Sequence, residues 1–203
     1  MAIKSETLGI DIDEVLADTL NSFLGFYNSR NRTNFQRQDF YIYNDWGKIM
    51  GISEQHAMSE FYEFMFSPAG LTIPLISGSQ QAIASLGTKY KLVSPTYRSS
   101  CFKDITKKYL DSNFQRAISS VEFANHYSTN SGQKLSKADL ARKMGFTRLV
   151  EDQIHAAIEC ANIGVKVYLL KSPWNEKVTI PANLPIFGPF NNWLEITNEL
   201  IRN

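Results

Sequence analysis

Five short apolar runs, at residues 7–13, 90–94, 120–124, 148–152 and 165–171, constrain this chain most. Each has the length of a strand buried on both faces. Helical patterns lie between the later ones, over about residues 99–110, 136–144 and 153–163. Strand, helix and strand in succession require parallel pairing through right-handed crossovers. The chain is therefore predicted to form an α/β fold, a three-layer core around a Rossmann-like parallel sheet. In such sheets ligands gather outside the carboxyl ends of the strands.

Two of those strand ends are acidic. Asp11 and Asp13 close the first run, and Glu151-Asp152 closes the fourth. Side chains alternate along a strand, so Asp11 and Asp13 leave one face with Cα atoms about 6.6 Å apart. An unpaired buried carboxylate costs several kcal/mol, so two at a strand end point to a cation between them. Such a pair can hold a divalent ion and offer one carboxylate as a nucleophile. The plainer reading is an aspartate capping the helix that follows.

The first crossover is far too long for a single helix. Between Asp13 and Tyr90 lie a helical stripe (Leu16, Leu20, Phe23, Leu24, Tyr27) and an aromatic loop (Phe35, Phe40, Tyr41, Tyr43, Trp46). A second helix begins near Ser53 and carries Met58, Phe61, Phe64 and Met65, and a return helix spans about residues 78–86. The expected division is a core of residues 1–18 and 88–203, with residues 19–87 forming a helical cap over the strand ends. The cap aromatics suit either a slot for a flat group or the cap's own core. Residues 128–137 read as a polar, mobile connection.

Composition narrows the partners. With 21 basic and 20 acidic residues the formal charge is +1, and no Lys/Arg cluster has the density of a nucleic-acid groove, which argues against duplex binding. No apolar stretch is long enough to span a membrane, and the first residues lack a signal-peptide pattern, so a cytoplasmic protein is expected. Cys101 and Cys160 read as packing residues in a reducing compartment. His56, His126 and His155 form no ligand or triad spacing. A homodimer stays open.

The ordered set Asp11-Ile12-Asp13-Glu14-Val15-Leu16-Ala17-Asp18, Lys137-Ala138-Asp139-Leu140 and Leu149-Val150-Glu151-Asp152 resembles the haloacid dehalogenase-like (HAD) phosphohydrolases. Within them it is similar to the 5'(3')-deoxyribonucleotidase-like branch, as are Ala157-Ile158-Glu159-Cys160-Ala161 and Pro173-Trp174-Asn175. The likeness runs from Leu8 to about Asn175. Three residues depart from the pattern: Glu14 stands where glycine is frequent, Thr19 lies near the point where an aromatic is common, and Glu151 stands where the family often has a second aspartate.

The resemblance implies a Mg²⁺-dependent phosphomonoesterase acting on a small phosphorylated metabolite, with a nucleoside monophosphate as the leading class; a sugar- or vitamin-phosphate phosphatase and a catalytically silent ligand-binding or regulatory protein of the same fold are the alternatives. Asp11 would be the nucleophile that becomes an aspartyl-phosphate. Asp13 would be the general acid and then the base, its backbone carbonyl also serving the metal. Asp11, Asp13 and Asp152 form the implied metal set, with Glu151 as a further acid of open role. Lys137 would screen the phosphate from the first turn of a helix opened by a Ser136–Asp139 capping box and closed at Gly145. Thr96 would hold a phosphate oxygen together with Arg98, with Ser94 as the alternative hydroxyl.

Overall fold

The computed structural model describes residues 6–42, 45–125 and 134–202. Tyr43, His126 and most of the polar connection at 128–137 lie outside the described residues. Six strands form one parallel sheet: β1 Thr7–Ile10, β2 Lys91–Thr96, β3 Ile118–Phe123, β4 Arg148–Glu151, β5 Lys166–Leu170 and β6 Ile186–Phe190. Their spatial order is β3-β2-β1-β4-β5-β6. The chain therefore builds outward from β1 in one direction and then in the other. Open α/β sheets bind their ligands where the order reverses, here beside β1 between β2 and β4.

Helices cover both faces. On one side α7 (Lys137–Met144) and α8 (Ile154–Ala161) bury Leu140, Ala156, Ala157 and Cys160 against Val93, Leu149 and Val167. On the other lie α5 (Ser79–Leu86), α6 (Lys103–Phe114) and α9 (Trp193–Arg202). The capping box forms: Asp139 N donates to Ser136 Oγ at 3.0 Å, and Ser136 N to Asp139 Oδ2 at 3.1 Å. Gly145 ends α7 at φ +72°, its N–H donating to the Ala141 carbonyl.

The insertion over the strand ends contains α1 (Thr19–Asn31), a 3-10 turn at Arg37–Asp39, α2 (Trp46–Met50), α3 (Glu54–Phe66) and α4 (Pro68–Leu71). Its ends meet in a two-stranded neck. Asp18 N donates to the Pro74 carbonyl, Ile76 N donates to the Leu16 carbonyl, and Ala17 faces Leu75 antiparallel. The return helix α5 falls after this neck and packs on α6 and α9, so it flanks the sheet instead of standing over its rim. Phe23, Phe40 and Phe64 are fully buried among one another and Trp46, with Phe23 and Trp46 stacked at 5.2 Å. These aromatics are the interior of the insertion, the second of the two readings open from sequence.

The sequence assigned no element after residue 171, yet β6 and α9 lie there. Gly188 and Pro189 obscure the strand, because proline cannot donate to a ladder and belongs on edges. β6 is an edge strand with a register irregularity, and Gly188 sits at φ +105° with its α-carbon so close to the Leu169 carbonyl that a Cβ would lie 2.8 Å away. In α9 Trp193 is buried and its Nε1 donates to the Val15 carbonyl at 2.8 Å, tying the far end of the chain to the loop after Asp13. Cys160 is buried, but Cys101 is exposed, which corrects its reading as a packing residue. Among the described residues no helix is long and apolar enough to cross a membrane.

Candidate active site

Every element bordering the switch point delivers a polar side chain to it. Asp11 directly follows β1, its N–H donating to the Val150 carbonyl of β4 at 3.0 Å, and its side chain is buried. Thr96 ends β2, and Glu151 ends β4 with Asp152 next to it; all three are completely buried. Lys137 enters from the first turn of α7. A lysine there opposes the helix dipole. The pairing explains it: Nζ lies 2.8 Å from Asp11 Oδ1, 2.9 Å from Glu151 Oε2 and 3.1 Å from the Pro95 carbonyl, with the Tyr97 ring 4.8 Å away. Three separate segments thus converge on one ammonium group.

Charge in this centre is unbalanced. Burial and the Glu151 charge hold the Asp11 carboxyl well above the usual carboxylate range, with Lys137 opposing them. Burial, Glu151 and Asp11 push Asp152 the same way. Glu151 itself is lowered: burial raises it, but Lys137 and hydrogen bonds from its neighbours prevail. Its Oε1 accepts from the N–H groups of Asp152 and Gln153, both at 3.1 Å. Three buried carboxyl groups lie close together with one lysine between two of them, an excess of acid over base in a low-dielectric setting.

A divalent cation fits that excess. Asp11, Glu151 and Asp152 each present an oxygen within 4.8 Å of the others'. Asp152 Oδ1 is buried and has no hydrogen-bond partner among the described residues. Its other oxygen accepts from Trp174 Nε1 at 2.9 Å, and its backbone carbonyl accepts from Asn175 Nδ2 at 2.7 Å. One oxygen is thereby fixed and the other left for a ligand. Asp11 and Asp152 are the donors best placed to hold a hard cation, whereas Glu151 is occupied in orienting Lys137.

The Asp13 carboxylate stands apart from this trio; the metal role expected of Asp13 was through its backbone carbonyl. Its carboxylate receives Arg98 Nη2 at 2.7 Å and Nε at 3.0 Å, with Thr19 Oγ1 at 2.6 Å. Burial raises its pKa, yet the Arg98 charge and hydrogen bonds outweigh this and hold Asp13 below the usual range. Arg98, expected on a phosphate, is here committed to Asp13 and Thr106. The two candidate hydroxyls also separate. Ser94 Oγ donates to the Ile10 carbonyl inside the sheet, while Thr96 Oγ1, at the strand end, accepts from Arg98 N. Ser94→Ala should therefore cost about 1 kcal/mol of stability, measured by urea or thermal unfolding.

Sequence reasoning missed the supports. Trp174 and Asn175 drew notice for their likeness to the branch, but both hold Asp152. Glu14 is a buried non-glycine at φ +64°, where an L-residue is strained. That departure was visible in the sequence; its partner Arg37, from within the insertion, was not. His56 and His155 lie exposed beside Glu60 and Glu159 on their own helices.

No protein-family model and no curated protein matches the chain. Solved structures do. A haloacid dehalogenase-like family hydrolase from Streptococcus pneumoniae superposes with a TM-score of 0.71 at 9% identity, over 98% of this chain and 100% of that one. The fold is that of the haloacid dehalogenase-like hydrolases. Other HAD-like chains agree with it. A predicted phosphoglycolate phosphatase from Haemophilus somnus gives 0.65 at 16% identity, covering 98% of this chain and 100% of its own. The HAD-hydrolase YfnB from Bacillus subtilis, bound to magnesium, gives 0.63 at 14%, covering 98% and 99%. Within the HAD-like fold of this chain, the acidic centre occupies the switch point of the sheet.

Proposed function

We propose that the protein is a Mg²⁺-dependent phosphomonoesterase working through an aspartyl-phosphate on Asp11. The observation that carries this reading is the buried Lys137 joining Asp11 to Glu151 beside the unpaired oxygen of Asp152. Asp11 and Asp152 would hold the metal, which when bound supplies charge that draws the anionic ester toward a carboxylate. Lys137 and the Thr96 hydroxyl would take phosphate oxygens. One Asp11 oxygen attacks phosphorus, the bond to the leaving oxygen breaks, and Asp13 delivers the proton that oxygen needs. Water then gives a proton back to Asp13 and attacks phosphorus, freeing phosphate and restoring Asp11.

Arg98 sets the state of Asp13. The bidentate pair favours the ionised form, which suits the water-activating step. Donation of a proton first requires Asp13 to be released from Arg98, and a phosphate that draws the guanidinium to itself would do that. Residues 19–87 were expected as the cap; the neck at Leu16–Asp18 and Pro74–Ile76 favours a shorter unit whose role is to exclude water and sort leaving groups.

A small phosphorylated metabolite is the substrate class. A nucleoside monophosphate remains the leading candidate on sequence resemblance, although Phe23, Phe40 and Phe64 are buried in the insertion's interior and do not offer a face to a base. Purified protein should release phosphate from a generic aryl phosphate with Mg²⁺ and not with EDTA. A panel of nucleotides, sugar phosphates and vitamin phosphates then identifies the class. No turnover of any ester overturns the phosphatase reading; refusal of nucleotides with cleavage of a sugar phosphate removes only the nucleotidase reading.

A further inference from the structure

Beyond its neck, the insertion touches the core at an apolar contact and an ionic one. In the apolar contact, Tyr62 and Phe66 of α3 lie 4.8 and 5.3 Å from the buried ring of Phe102. In the ionic contact, Arg37 of the 3-10 turn pairs through Nη1 with Glu14 Oε2 and lies 3.4 Å from Asp18 Oδ1. Its guanidinium also stands 5.2 Å from the centre of the Trp174 ring.

Both partners are unusual. Glu14 is a carboxylate 1% exposed in a left-handed conformation, so it bears backbone strain as well as desolvation. A glycine would remove both burdens. What Glu14 provides is two bonds: Oε1 accepts from Leu20 N in the first turn of α1 at 2.6 Å, and Oε2 meets Arg37. Asp18, the residue before α1, makes no side-chain cap hydrogen bond, so Glu14 satisfies the helix start in its place. Trp174 is the residue whose indole N–H holds Asp152. One arginine of the insertion therefore reaches the loop after Asp13 and the indole that fixes a candidate metal ligand.

We propose that Arg37 is a positioning residue that locks the insertion over the acidic centre, through Glu14 and Asp18 by charge and through Trp174 by stacking. The inference rests on the phosphatase reading only for what the closed site is used for. The ionic contact is the releasable one. Its partners are polar and can be solvated on separation, whereas parting Phe102 from α3 exposes apolar surface. Opening then frees Glu14, loosens the first turn of α1 and uncovers Trp174 together.

Hydrogen–deuterium exchange of the full chain tests this with Arg37→Met, Arg37→Lys and the double variant Arg37→Met/Glu14→Gln. The double variant leaves no unpaired charge on Glu14, so it tests the lock even if Arg37→Met alone folds poorly. The expected result is exchange at least about tenfold faster at residues 19–24 and 35–42 in the double variant, with β1 and β4 unchanged and Arg37→Lys intermediate. Unchanged exchange in the double variant overturns the proposal. So does a rise shared equally by the strands, which would make the contact a general support of the fold. In the activity arm, with a generic aryl phosphate, kcat should fall and KM rise in the double variant, with partial recovery in Arg37→Lys; unaltered constants despite faster exchange also overturn it. Absence of turnover in the unmodified protein would instead remove the phosphatase reading and leave the exchange result to decide the lock.

Discussion

Asp11→Asn is expected to abolish Mg²⁺-dependent phosphate release, by about 10⁴-fold or more, without loss of fold. The amide nearly matches the carboxylate in shape but cannot form the acyl phosphate, and removal of a nucleophile is rarely compensated by the rest of a site. Stability should respond in the opposite sense from activity. Asp11 is held above the usual carboxylate range by burial and by Glu151, so its charge is a burden on the metal-free protein at neutral pH. The variant should therefore melt no lower than the unmodified protein at pH 8 in EDTA. A variant that retains full turnover would remove Asp11 from the chemistry.

Lys137→Met is the second large effect, and it falls on stability as well as activity. The ammonium group is completely buried between two carboxylates, and burial, which favours the neutral amine, is overcome by Asp11 and Glu151 so that its pKa rises. Removing one member of a buried ion pair strands the other, at a cost of about 3–5 kcal/mol. The cost should depend on pH in a defined direction. Without the lysine, the buried carboxyls bind protons in the folded state that they release on unfolding. Stability is then retained near pH 4 to 5 and falls as pH rises through their raised pKa values. The unmodified metal-free protein should show a weaker form of the same slope. Asp11 and Asp152 are raised, and burial brings Glu14 to about 7 against the opposing charge of Arg37. Saturating Mg²⁺ should flatten the part due to Asp11 and Asp152, and at 100 times Kd it adds about 2.7 kcal/mol. Thermal unfolding at pH 5 and pH 8, with EDTA and with Mg²⁺, measures all four corners.

The inner strands of the sheet were legible because they are buried on both faces and read as continuous apolar runs, whereas the edge strand β3 is only partly buried. Five of six were placed, and the one lost was the edge strand interrupted by Gly188-Pro189. Asp11, Lys137 and Asp152 were legible for a different reason: each is a charge where burial or a helix dipole makes a charge costly, so its presence called for a partner. The remaining members of the site gave no such sign. The role of Glu151 beside Asp152 stayed open until its oxygens were seen bound to Lys137 and to two backbone N–H groups. Arg37 is an ordinary arginine in the aromatic loop, and only folding brings it to Glu14. The pairing of Arg98 with Asp13 likewise depends on where β2 ends relative to β1, a register that spacing alone does not contain.

The neck has a consequence for how such a protein can change. Because Asp18 and Pro74 are hydrogen-bonded neighbours, the chain leaves the sheet and rejoins it at nearly the same point. Whatever lies between them is a closed excursion whose length adds little to the cost of folding. Exchanging residues 19–73 for a shorter or differently shaped excursion would leave the sheet and the centre beside β1 in register. What covers the centre could thus be rewritten as a cassette, provided each new version again supplies the contacts that Thr19 and Arg37 make with Asp13 and Glu14.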